Sequence, residues 1–185
     1  MTRVVGIVPA RLSASRFPGK PLAQILRFTM LEHCYLRAFD FYSWDKLIVS
    51  TPDSEILDFC AIQGIPAVLS SNHHSRALDR VLETYEDIYP DRSDDDIIVN
   101  VQGDEPLLQP EHIVNVIEPI KNDPHKVAMV AAQLIESEAD YLNNDILKII
   151  HDLEGKILYT SRSPVPFMKE FQSNVVPRII GIFSF

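Results

Sequence analysis

Apolar residues in this chain alternate between two periods, and that alternation leaves few folds open. Val4-Val5-Gly6-Ile7-Val8 is a nearly unbroken apolar run, the pattern of a strand covered on both faces. Leu22, Ile25, Leu26, Leu31, Cys34, Tyr35, Ala38 and Phe39 then recur at spacings of three and four, which predicts a helix. Residues 46–51 (KLIVST) predict a second strand. Asp53 is placed to cap a helix whose apolar face is Ile56, Leu57, Cys60 and Ala61, with Gly64 closing it. Residues 65–69 predict a third strand, and Ala77, Leu78, Val81, Leu82, Tyr85 and Ile88 mark the next helix. A fourth strand follows at 97–102 (IIVNVQ). Pro110 opens a helix that Pro119 should end, and 127–134 predict a fifth strand. This rhythm predicts an α/β chain with a mostly parallel, Rossmann-like sheet flanked by helices.

Past residue 134 the rhythm changes. Residues 148–152 and 156–162 flank Leu153-Glu154-Gly155 and predict a β-hairpin excursion. The apolar end, VVPRIIGIFSF, reads as a strand that must be paired or covered. A length of 185 residues suits a single domain, 1–185, and 46% hydrophobic residues suffice for a packed core. A net charge of −9 argues against a nucleic-acid binder. No apolar run is long enough to span a membrane, and the N-terminus lacks the pattern of a signal peptide. Cys34 and Cys60 are isolated, without metal-ligand spacing, and read as reduced, buried thiols of a cytoplasmic protein. The acidic residues between 91 and 96 read as a solvated loop, and His73-His74 as loop residues.

Against this acidic background stands VPARLSASRFPGKP, with Arg11, Arg16 and Lys20 between the first strand and the first helix. In an open α/β sheet that places three cations beyond a carboxyl strand end, where ligands collect. Their mutual repulsion is relieved by an anion, and Arg forks plus a Lys point charge suit a polyphosphate. The segment is not a P-loop, because Ala14 and Pro21 stand where Gly and Ser or Thr are required. The dinucleotide fingerprint is absent as well. A second constellation, VNVQGDEP, brings Gln102, Gly103, Asp104 and Glu105 to the same edge. A carboxylate there can share Mg²⁺ with phosphate oxygens, with Asp104 the first candidate and Glu105 the reserve. Gln102 suits a hydrogen bond to a base or sugar.

These two motifs, in this order, resemble the cytidylyltransferases that make CMP-activated 3-deoxy-manno-octulosonate. KLIVSTPDSEI and LKIIHDLEGKILYTSRSPVPF support the resemblance, which runs over nearly the whole chain. It implies a nucleotide-diphospho-sugar transferase-like fold. It also implies transfer of CMP from CTP to a 3-deoxy sugar acid with release of pyrophosphate, using Mg²⁺, for lipopolysaccharide synthesis by a cytoplasmic homodimer. Residue by residue, it implies that Pro9, Ala10 and Arg11 lie against the nucleotide. Arg11 and Lys20 would neutralise the phosphates and act as the catalytic cations, with Arg16 and Arg80 also on the nucleotide. Gln102 would face base or sugar, Asp104 would bind metal, and Arg162 would face the sugar acid.

The chain also departs from that pattern. A small Ser-Gly-Thr triplet near the base is replaced by Arg76-Ala77-Leu78, although Asp79 and Arg80 match. The segment ILRFTML lacks the usual Gly-Lys-Pro. Ile179 stands where a His is common. Members continue beyond GIFSF, so the chain is expected to lack the part that supplies a second metal-binding aspartate and much of a dimer contact. The alternative implied by these departures is a non-catalytic relative that keeps the fold as a nucleotide-binding or protein-interaction module.

Overall fold

The structure is a computed structural model that describes residues 2–13, 17–74, 76–122 and 128–185. The chain divides into two compact units, Met1–Met129 with Gly181–Phe185, and Val130–Ile180.

The first unit is an α/β sandwich. Its strands are β1 (Val4–Pro9), β4 (Lys46–Thr51), β5 (Ala67–Leu69), β6 (Ile97–Val101) and the end of β10 (Pro177–Ser184). A two-stranded ribbon, β2 (Gln24–Ile25) with β3 (Phe28–Thr29), precedes α1 (Met30–Phe39). The other helices are α2 (Ser54–Gln63), α3 (Ala77–Ile88) and α4 (Pro110–Asn122). β1 lies between β4 and β6, parallel to both, and β5 extends the sheet beyond β4. β10 adds antiparallel to β6, with Ile182 opposite Val101 and Ser184 opposite Val99. The α/β expectation of a mostly parallel sheet flanked by helices holds.

Burial explains the unbroken apolar runs. Val5, Ile7, Ile48 and Ile98 pack against Val81 and Tyr85 of α3 on one face. Val99 points the other way and pairs with Ser184, whose hydroxyl donates to the Val116 carbonyl of α4. Each fully buried Val or Ile contributes about 1.5–3 kcal/mol, so strands covered on both faces dominate the stability of this unit. Because β1, β4 and β6 are parallel, their carboxyl ends meet at one edge, where the loops at 10–20, 52–53 and 102–105 begin.

Several local expectations give way. The helix expected from Leu22 starts only at Met30. Thr29 Oγ1 accepts from the Glu32 N–H at 3.2 Å, and Glu32 Oε2 accepts from the Thr29 N–H at 2.6 Å. This capping box fixes the start, and Leu26, with φ 57°, breaks any helix before it. Pro119 does not end α4, which continues to Asn122; so near the end, the missing N–H and ring clash disturb only the last turn. The third strand begins at Ala67 rather than Ile65. Gly64 closes α2 with φ 68°, as expected, but Asp53 places no side-chain cap on that helix.

The acidic loop is only partly solvated. Asp96 is buried and accepts from the Arg3 backbone N–H at 3.0 Å and the Tyr85 hydroxyl at 2.6 Å, while Asp91 pairs with the Arg3 guanidinium at 2.6 Å. Cys34 and Cys60 are free and buried. Burial pushes their thiols up, to about 12 and about 11.

The second unit holds most of β7 (Met129–Leu134), α5 (Glu138–Leu142), and β8 (Lys148–His151) antiparallel to β9 (Ile157–Ser161), the expected hairpin. Gly155 takes φ 82° in the turn, and Asp152 Oδ1 accepts from the Glu154 and Lys156 N–H groups. The first part of β10 pairs with β8 through Arg178 and Lys148, so the apolar end of the chain is paired. Ile135, Tyr141 and Val176 form this unit's core. Val127, the expected start of the fifth strand, lies outside the described residues. Among the described residues no helix is long and apolar enough to cross a membrane.

Candidate active site

At the carboxyl edge of the first unit's sheet lies a cavity of about 590 Å³, within the size range of ligand pockets. Pro9, Ala10 and Arg11 come to it from the end of β1, Phe17 from the loop that follows, Lys20 and Pro21 from a 3-10 turn at Lys20–Leu22, and Gln102, Gly103 and Asp104 from the end of β6. His74, Arg76, Ala77 and Arg80 complete the wall. The cationic loop and QGDEP, far apart in sequence, therefore meet because β1 and β6 are neighbours.

Four basic side chains, Arg11, Lys20, Arg76 and Arg80, face this space with Asp104 as the one carboxylate among the described lining residues. Lys20 Nζ donates to Asp104 Oδ2 at 2.8 Å. Both side chains are substantially exposed, at 33% and 49%, and an exposed pair of this kind contributes at most about 1 kcal/mol. The contact is therefore easily exchanged for contacts to an anionic ligand. Arg80 is buried; it donates to the Ser71 carbonyl at 3.0 Å and to the Ser70 hydroxyl. Burial, and more weakly the neighbouring Arg11, push its pKa down despite Glu83 and Asp53 nearby, so added negative charge in the cavity stabilises it.

The turn between β5 and α3 has its own support. Glu83 accepts from the Ser71 N–H at 2.9 Å and sits 3.0 Å from His74 Nε2. Burial would raise the Glu83 pKa, but the Ser71 N–H and His74 outweigh it and hold the carboxyl low. His74, read from sequence as an ordinary loop residue, thus belongs to the cavity wall. The apolar pattern of α3 carries no signal for it.

Other expected site residues distribute as follows. Gln102 packs against Gly181, where a β-carbon would stand 2.5 Å from Gln102 Cγ. Glu105, the reserve metal candidate, turns its carboxylate to the Gly181 N–H at 3.2 Å, which leaves Asp104 as the carboxylate facing the cavity. Of the departing triplet, Arg76 and Ala77 are on the wall, whereas Leu78 is not among the lining residues and is 42% exposed. Arg16 lies outside the described residues. Arg162 belongs to the second unit, where its guanidinium donates to the carbonyls of Asn144 and Asp145, both at 3.1 Å. Its own carbonyl accepts from the buried Lys148 Nζ at 3.2 Å.

The donor set suits Mg²⁺ only in a particular way. No group of three His, Cys, Asp or Glu side chains among the described residues could hold a metal alone. One carboxylate beside a polyphosphate-sized cationic cavity fits an ion that keeps its waters and is held mainly by phosphate oxygens.

A nucleotidyl-transfer site on an α/β sheet is what this arrangement defines, and the chain belongs to the cytidylyltransferase family, whose family model, described as Cytidylyltransferase, matches residues 5–185. More narrowly, its relatives are 3-deoxy-manno-octulosonate cytidylyltransferases. That of Thermodesulfovibrio yellowstonii is 35% identical over 97% of this chain and 73% of its own length. That of Syntrophobacter fumaroxidans is 39% identical over 91% of this chain and 66% of its own length. Among solved structures, a CMP:2-keto-3-deoxy-manno-octonic acid synthetase complexed with CTP aligns over 100% of this chain and 74% of its own, with a TM-score of 0.87 and 27% identity. The chain thus spans between about two thirds and three quarters of these relatives.

Proposed function

We propose that this chain transfers CMP from CTP to 3-deoxy-manno-octulosonate and releases pyrophosphate. The observation that carries the reading is the meeting of Lys20 and Asp104 at 2.8 Å inside a cavity lined by Arg11 and Arg80. The anomeric hydroxyl oxygen of the sugar acid forms a bond to the α-phosphorus, the bond from that phosphorus to the β-bridging oxygen breaks, and pyrophosphate leaves. The hydroxyl proton passes to solvent. Such a transfer rests on positioning and charge neutralisation. Arg11 and Lys20 supply the catalytic charge on the phosphates, and Pro9, Ala10, Arg80 and Gln102 border the nucleoside. Arg16 belongs to the same basic stretch of sequence. Asp104 is the residue that would hold Mg²⁺, which when bound neutralises phosphate charge. The relatives' names and the CTP in the solved neighbour support the substrates. A cytoplasmic homodimer completes the reading.

The decisive assay is pyrophosphate release with CTP, Mg²⁺ and 3-deoxy-manno-octulosonate, run beside ATP, GTP and UTP. Turnover dependent on CTP and the sugar acid is expected. A folded sample that binds CTP yet releases no pyrophosphate would favour a nucleotide-binding relative without catalysis. Sedimentation tests the dimer.

A further inference from the structure

Asp53 stands where a cap for α2 is expected, yet its carboxylate makes no hydrogen bond to the first turn of that helix. It reaches instead into the cationic loop, where Asp53 Oδ2 accepts from the Leu12 N–H at 2.8 Å. Its own backbone is fixed by donation to the buried Thr51 hydroxyl at 3.1 Å. The other side of Leu12 is also held, since its carbonyl accepts from the Gly19 N–H at 3.0 Å. One residue before Arg11, the Ala10 N–H donates to the Ser50 carbonyl at 2.9 Å. The Leu12 backbone is therefore a joint. Arg11 precedes it, and Lys20 follows the Gly19 that closes onto it. Asp53 itself does not line the cavity.

We infer that Asp53 is a positioning residue for the nucleotide: by accepting the Leu12 N–H it holds Arg11 and Lys20 in the spacing that a triphosphate requires. The inference rests on the reading of the cavity as a CTP site. A preorganised loop binds without first losing conformational freedom, so the loss on removing Asp53 falls on CTP binding. What Leu12 needs is an acceptor oxygen, which Asn also provides.

The test measures CTP affinity by calorimetry, and KM for each substrate, in Asp53→Ala and Asp53→Asn. Asp53→Ala is expected to weaken CTP binding about tenfold, as for one lost hydrogen bond. KM for the sugar acid and kcat at saturating CTP should stay unchanged. Asp53→Asn should stay within about twofold of the parent, because its amide oxygen still accepts. Unchanged CTP affinity in Asp53→Ala overturns the inference. So does equal loss in both variants, which would assign the effect to charge, and so does a shift in both KM values together, which would assign it to general stability. If Asp53→Ala does not fold, amide exchange in the parent decides: the Leu12 N–H should be protected and more so with CTP, and free exchange overturns the inference. A parent chain that fails to bind CTP sinks the functional reading itself, whereas a binding parent with an indifferent Asp53→Ala sinks only the role of Asp53.

Discussion

Gly103 passes so close to Pro9 that a β-carbon on it would stand 2.8 Å from the Pro9 carbonyl oxygen. This contact joins the two motifs among the lining residues of the cavity, and the obstacle is backbone, which cannot swing aside.

Gly103→Ala is therefore expected to cost about 1–3 kcal/mol of stability, as for an overpacked site, and to weaken CTP binding by displacing Asp104. Gly19→Ala offers the contrast. Its φ of 73° is strained for Ala, but nothing lies within 4 Å of the added carbon, so the loss should stay near 1 kcal/mol. Thermal melts with and without CTP check both; equal tolerance would mean that the Pro9–Gly103 approach is unimportant.

Lys20→Ala and Arg11→Ala should each weaken CTP binding by about 1.5–3 kcal/mol, the range for a hydrogen bond to a charged group. Asp104→Asn should lower Mg²⁺-dependent turnover while leaving the melting temperature nearly unchanged, because its exposed pairing with Lys20 contributes little to stability. Calorimetry and steady-state rates check these values. An Asp104→Asn protein that unfolds would make the residue a structural support.

Arg76 and Ala77 lie on the cavity wall, and Leu78 stands away from it. Arg76→Ser removes one of the four cations on the cavity wall and should weaken CTP binding several-fold, whereas Leu78→Thr should leave it unchanged. A gain from Leu78→Thr alone would contradict the position of Leu78 away from the cavity wall.

Asp96 gives the fold a predictable acid limb. Burial opposes its ionisation, but hydrogen bonds from Tyr85, Arg3 and Ser93, with the Arg3 charge, win and bring its pKa below the ordinary 3.8. Its folded value is depressed, so its contribution is complete above 3.8 and is lost as pH falls through the lower folded value. Asp96→Asn should destabilise the protein by about 2 kcal/mol at neutral pH and flatten the decline in melting temperature below 3.8. Parallel acid limbs in the two proteins would remove Asp96 from this role.

The sheet was legible in the sequence because runs such as Val4–Val8 are apolar without interruption, which only a doubly covered strand requires. The cationic loop and Asp104 were legible through charge set against an acidic chain. The start of α1 was not, because Leu22, Ile25 and Leu26 imitate a helical stripe, although Thr29 and Glu32 carried the signal that overrides it. His74 and Asp53 escaped because their significance is tertiary. Asp53 turns to Leu12, 41 residues away, and His74 pairs with Glu83 of the following helix; neither a His-His pair before a helix nor an Asp at a cap position announces where it will turn.

The parallel pairing of β1 with β6, Ile7 beside Asn100, has a practical consequence. Side chains alternate faces along a strand, so sliding either strand by one position would turn Gln102 to the reverse side and part Lys20 from its carboxylate. CTP binding is therefore a reporter of correct strand alignment across almost a hundred residues of chain, and titration with the nucleotide would distinguish properly assembled molecules from compact misfolded ones in a preparation.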